Sequence, residues 1–126
     1  MNDLRNAVRD SDAGQAQGAG AGWIGRTFRF EPGFLGFSGH FPGYPLVPAF
    51  VQVLASIVVM ERAKTTALEI VALNSAKFRK EIRPGTEVTV ECKETADLPL
   101  LAFQVRIRDE EGDAASFSVQ CVAVKR

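Results

Sequence analysis

Histidine is almost absent from this chain, which has one, His40, beside two cysteines. A structural zinc site asks for four nitrogen or sulfur ligands, so the chain could build one only by recruiting carboxylates. Cys92 and Cys121 stand in no C-x-x-C pair, and each sits in an alternating apolar–polar run; both read as small buried side chains. Net charge is absent as well: fifteen Lys and Arg balance fifteen Asp and Glu. No overall basic field exists to hold a nucleic-acid backbone. The longest apolar stretch, Ala49 to Met60, is twelve residues long and contains Gln52 and Ser56, whereas a membrane-spanning helix needs about twenty apolar residues. The start, Met1 to Arg5, has no continuous apolar core of the kind that directs secretion, so a cytoplasmic location is expected. The glycines form no phosphate signature either. Trp23 stands where Gly18-Ala19-Gly20-Ala21-Gly22 would need the third glycine of G-x-G-x-x-G. His40 stands where Gly36-Phe37-Ser38-Gly39 would need the last glycine of a nucleophile elbow.

What is present fits one domain in 126 residues, of which 46% are hydrophobic. Residues 1–22 are rich in Gly, Ala, Gln, Asp and Asn and are expected to be a mostly flexible lead-in, with a short helix over Asn2 to Arg9 that sets Leu4 and Val8 on one face. The domain proper is expected over 23–126. Thr27 to Phe30 alternate and read as a strand, ended by Glu31-Pro32-Gly33. An aromatic segment too rich in Gly and Pro for regular structure runs from Phe34 to Pro45. Pro48 then opens a helix, Ala49 to Lys64, apolar nearly all round except for Gln52 and Ser56, and such a helix is enclosed by the protein. Period-two alternation follows to the end, with turns at Arg83-Pro84-Gly85-Thr86 and Glu110-Glu111-Gly112-Asp113. A sheet with one apolar face and a helix apolar all round complement each other, so the sheet is expected to wrap the helix.

His40-Phe41-Pro42-Gly43-Tyr44-Pro45-Leu46-Val47-Pro48 resembles the H-F-P-x-x-P-x-x-P-G loop of the hot-dog-fold β-hydroxyacyl-acyl carrier protein dehydratases. Lys77-Phe78-Arg79-Lys80 followed by Arg83-Pro84-Gly85-Thr86 resembles their K-F-x-x-x-V-x-P-G-D segment, and the acidic turn at 109–113 fits their ending. With Val51-Gln52-Val53 after the loop, the phrasing looks closest to a branch associated with aryl polyene and related lipids. The resemblance implies an α+β hot-dog fold: an antiparallel sheet of about five strands around one long central helix. It also implies removal of water from (3R)-hydroxyacyl thioesters at a site shared by two subunits, with no cofactor. The expected partners are a second copy, as a homodimer or a higher oligomer of dimers, and an acyl carrier protein or coenzyme A thioester.

Carried over residue by residue, the resemblance makes His40 the base at the α-carbon and the Ala49 N–H the group that polarises the thioester carbonyl. Phe41, Gly43, Val47, Phe50, Leu54 and Val58 would bind the substrate, with Phe41, Val47, Leu54 and Val58 lining a narrow apolar tunnel that ends beside His40. The departures are chemically sharp. The family's acid lies fourteen residues after the histidine, where this chain has Leu54. A glutamine used one turn later in some members is Val58, and the glycine after the third proline is Ala49. Gln52 is turned about 200° around the helix from Leu54 and cannot stand in. Glu61 shares the Leu54 face but lies roughly 10 Å further along. Three functions therefore stay open: dehydration resting on His40, acyl-thioester binding without turnover, and thioesterase action, for which Glu61 is the one helix carboxylate on offer. Arg79, Lys80 and Arg83 read either as a solvated strand face or as a basic patch for an acidic carrier.

Overall fold

A computed structural model describes residues 2–16, 20–34 and 46–124. The chain order is α1 (Asn2–Asp10), β1 (Asp12–Gln15), β2 (Trp23–Arg29), α2 (Ala49–Lys64), β3 (Leu68–Phe78), β4 (Glu87–Ala96), β5 (Leu101–Asp109) and β6 (Gly112–Ala123). The strands form a single antiparallel sheet in the order β1-β2-β4-β5-β6-β3. The chain leaving α2 thus enters the sheet at its far edge, and β4 returns to pair with β2.

The alternation expected from the sequence sets the sheet's inner face. Phe28, Val88, Val90, Cys92, Phe103, Val105, Ile107, Phe117, Val119 and Cys121 are all buried. Against them lies α2, in which ten of sixteen residues are buried. The Cys92 thiol donates to the Ser56 carbonyl at 3.8 Å, tying β4 to the middle of the helix. Ser56 returns its own hydroxyl to the Val53 carbonyl at 2.6 Å, the local bond that lets a hydroxyl sit inside a helix. The helix spans the expected residues. Pro48, at φ −64° and ψ 156°, is its N-cap. The turn into β6 needs Gly112, which sits at φ 127°, a conformation closed to residues with a Cβ.

The opening segment corrects the expectation of a mostly flexible lead-in. The short helix is present as α1, and a strand not anticipated from sequence, β1, extends the sheet beyond β2. The physical reason is anchoring at several points. Val8 is buried, and Leu4 packs against the core beside it. Arg5 and Arg9 then reach a carboxylate on α2. Asp12 accepts from Arg26 Nε at 2.5 Å and pairs with Arg62 Nε at 2.8 Å, fixing β1 to both β2 and α2. The molecule therefore has two helices and six strands among the described residues, one strand more than the resemblance implies, with the short α1 beside the central helix.

Candidate active site

The first turn of α2 is built for accepting a negative charge. The first N–H groups of any helix have no intrahelical acceptor, and the aligned peptide dipoles leave that end partly positive. The N-cap, Pro48, offers no side-chain hydrogen bond to it, and among the described residues no other side chain caps it. Val51 and Gln52 N–H both turn back to the Pro48 carbonyl, at 3.1 and 3.2 Å. Ala49 is the first helical residue, exposed at the open end.

From that end one stripe of side chains runs down the helix at the four-residue spacing that stacks them on a single face. Phe50 is 44% exposed, Leu54 is half-buried and Val58 is buried. The stripe is open at the top and closes below because α1 crosses it. Glu61, at its foot, is buried and fully engaged. Its Oε1 accepts from Arg9 Nη2 at 3.1 Å. Its Oε2 accepts from Arg5 Nη1 at 3.3 Å and from the Leu68 N–H at 2.8 Å. A carboxylate holding two guanidiniums and a backbone amide is a structural anchor, and thioester hydrolysis through Glu61 loses its support.

The expected site residues divide by where they fall. Val47, Ala49, Phe50, Leu54 and Val58 lie at or just beyond the start of α2, with Val47 buried and its N–H donating to the Ile82 carbonyl at 2.8 Å. His40, Phe41 and Gly43 lie outside the described residues. Gln52 is buried beside the same helix start. Its amide donates to the Val47 carbonyl at 3.3 Å, while its Oε1 has no hydrogen-bond partner among the described residues. Sequence reasoning missed the grip of Arg5 and Arg9 on Glu61. The available signal was a glutamate closing an apolar helix face, with two arginines four apart near the chain start.

A long helix packed against one face of a single antiparallel sheet is the hot-dog architecture. A model of the ApeI-like family, described as ApeI dehydratase, matches residues 21–118, and the chain belongs to that family. Curated relatives at low identity are 3-hydroxyacyl-[acyl-carrier-protein] dehydratases. The Lactobacillus helveticus protein is 32% identical over 95 residues, 65% of this chain and 62% of its own length. The Polynucleobacter necessarius protein is 27% identical over 93 residues, 68% of this chain and 62% of its own. The chain thus spans less than two-thirds of the length of these relatives. Among solved structures, the dehydratase heterocomplex ApeI:P of Xenorhabdus doucetiae matches with a TM-score of 0.65 at 19% identity, over 88% of this chain and 96% of that one. The fluoroacetyl-CoA thioesterase FlK matches at 0.68 with 14% identity, over 81% and 84%. At these identities the two structures establish the fold alone. Among the described residues no helix is long and apolar enough to cross a membrane.

Proposed function

We propose that this chain is a dehydratase-type protein acting on (3R)-hydroxyacyl thioesters of fatty-acid or polyene lipid synthesis, with His40 as base. The observation that carries the reading is the start of α2, uncapped among the described residues, which directly follows the histidine- and proline-rich segment in a chain of the ApeI-like family. In this reaction His40 takes a proton from the carbon next to the thioester carbonyl. The electron pair forms the new carbon–carbon double bond as the bond to the β-hydroxyl breaks, and the hydroxyl leaves as water once protonated. Negative charge develops on the thioester oxygen, where the Ala49 N–H and the helix dipole stabilise it. Leaving-group protonation is the weak step, since Leu54 stands in the acid position and offers no proton. General acid assistance is typically worth about 10²–10⁴ in rate, so the chain alone turns over slowly, with the proton coming back from His40 or from water.

The free edge of the sheet supports assembly with a second hot-dog chain. Among the described residues strand β3 has no neighbour on one side, and beside that edge Ile70, Leu73 and Phe78 are 40–42% exposed. An eleven-residue edge with that apolar content seeks a partner. A second copy makes a homodimer, which brings another Leu54. A related subunit bearing a carboxylate at the corresponding place would bring the missing acid, and the heterocomplex named for the Xenorhabdus neighbour favours keeping this second reading. The test is turnover of a (3R)-hydroxyacyl thioester, on acyl carrier protein and on coenzyme A, by the purified chain. Slow dehydration that vanishes in His40→Ala is expected. Thioester binding that survives His40→Ala with no turnover in either protein would instead assign the chain to acyl binding.

A further inference from the structure

A second cluster of charge lies on the outer face of the sheet, away from α2. The strand register places Gly25, Glu91, Arg106, Ser116 and Lys77 in one row across β2, β4, β5, β6 and β3. The next row holds Trp23, Lys93, Gln104 and Ser118. Glu91 is buried, although its position points outward from the core. Arg106 Nε donates to its Oε1 at 2.6 Å, and Arg108 Nη2 donates to its Oε2 at 3.2 Å. Gly25 makes room for this arrangement, because a Cβ there would come within 3.2 Å of both Glu91 Cγ and Ala16 Cβ. The Arg106 guanidinium also lies over the Trp23 ring, 4.1 Å from its centroid. That cation is therefore fixed before any ligand arrives, and little side-chain entropy remains to be lost on binding.

Lys77 faces it from the other side of Ser116 and makes no ion pair or hydrogen bond among the described residues. Arg79 Nη1 donates to Ser116 Oγ at 3.0 Å, which occupies an acceptor position and leaves the hydroxyl proton free to turn outward. Strand β3 breaks register between Asn74 and Lys77, with Ser75 at φ 54°. Beside the break lies an open surface cavity of about 320 Å³, with Trp23, Ser75, Lys77, Arg106, Ser116 and Ser118 among its lining residues. One buried carboxylate thus sits among four cations, Lys77, Arg79, Arg106 and Arg108, with Asp113 opposite Arg108 at the far end of the group.

We propose that this cavity is a binding site for a small organic phosphomonoester, its phosphate seated on Ser116 and Ser118 between Lys77 and Arg106. A phosphate presents three acceptor oxygens and a charge of about −1.5 to −2. That suits two flanking cations and two or more hydroxyl donors better than a carboxylate does. The volume leaves room for a carbon skeleton beyond the phosphate. The site stands on the opposite face of the sheet from the start of α2, so it holds or fails independently of the dehydratase reading.

Trp23 is the chain's one tryptophan, so its fluorescence reports the site directly. The full chain is titrated with glycerol 3-phosphate and with inorganic phosphate at constant ionic strength, using chloride as the control. A saturable change with both phosphates, tighter for glycerol 3-phosphate, is expected. Lys77→Gln should weaken it about tenfold, as loss of one charge-assisted contact does, and Ser118→Ala should weaken it by less. Lys77 is exposed and unpaired among the described residues, so its substitution leaves the melting temperature in place and the comparison clean. A response that chloride reproduces, or that Lys77→Gln leaves unchanged, would overturn the site. Equal affinity for the two phosphates would overturn the organic ligand.

Discussion

The two cysteines show how little a residue's type says without its surroundings. Burial pushes the Cys121 thiol up to about 11 and the Cys92 thiol further still. The thiolate is the reactive form, and at pH 8 neither residue holds a significant amount of it. Both should therefore resist alkylation in the folded protein and react fully once it is denatured, as mass spectrometry after labelling will report. Fast labelling of the native chain would contradict their place in the core. Leu54 is the opposite case. Its neighbours on the helix face, Phe50 and Val58, are apolar as well, so nothing on that stripe replaces the proton donor. Glu61 completes the stripe, but both its oxygens are committed to Arg5, Arg9 and the Leu68 N–H.

At the scale of elements, α1 is held by that same carboxylate. Glu61→Gln keeps the shape and an acceptor for Leu68 but removes the charge that two arginines share. Hydrogen bonds to a charged group are worth about 1.5–3 kcal/mol. The variant should lose stability within that range in chemical denaturation, with amide exchange rising first in residues 2–10. Unchanged exchange in α1 would show that Leu4 and Val8 alone hold it. The helix α2 and the strands from β2 to β6 were legible in the sequence because each carries its own periodicity, apolar all round for the one and alternating for the others. The helix α1 was legible as the Leu4 and Val8 pattern, but β1 and the anchoring of both elements were not. Their local composition is largely polar, and what fixes them is distant: Glu61 and Arg62 on α2, and Arg26 on β2. The outer-face cluster was hidden for a similar reason. Trp23, Glu91, Arg106 and Lys77 are far apart in the chain, and the register that aligns them is fixed only once β4 has returned to pair with β2. Of the candidate site, sequence located the start of α2, while the engagement of Glu61 required the fold.

For the whole molecule, the free edge and the open end of the α2 stripe pose one question, which is what completes the site. The exposed β3 side chains predict a dimer at micromolar concentration in sedimentation. Leu73→Lys, which puts a charge on that apolar edge, should shift the population toward monomer, since the desolvation of an unpaired charge opposes association. A wild-type chain that remains monomeric would leave the edge without its expected partner. The central claim is that this chain keeps the base and the helix N-terminus of a hydroxyacyl-thioester dehydratase and lacks the acid. Its most direct test is the dehydration rate of Leu54→Glu measured beside the wild type, with His40→Ala placed in both backgrounds. Restoring a carboxylate should raise the rate by about 10² or more, and His40→Ala should abolish the gain. A Leu54→Glu protein that folds and binds thioester yet turns over no faster than wild type would contradict the account, as would a gain that persists without His40.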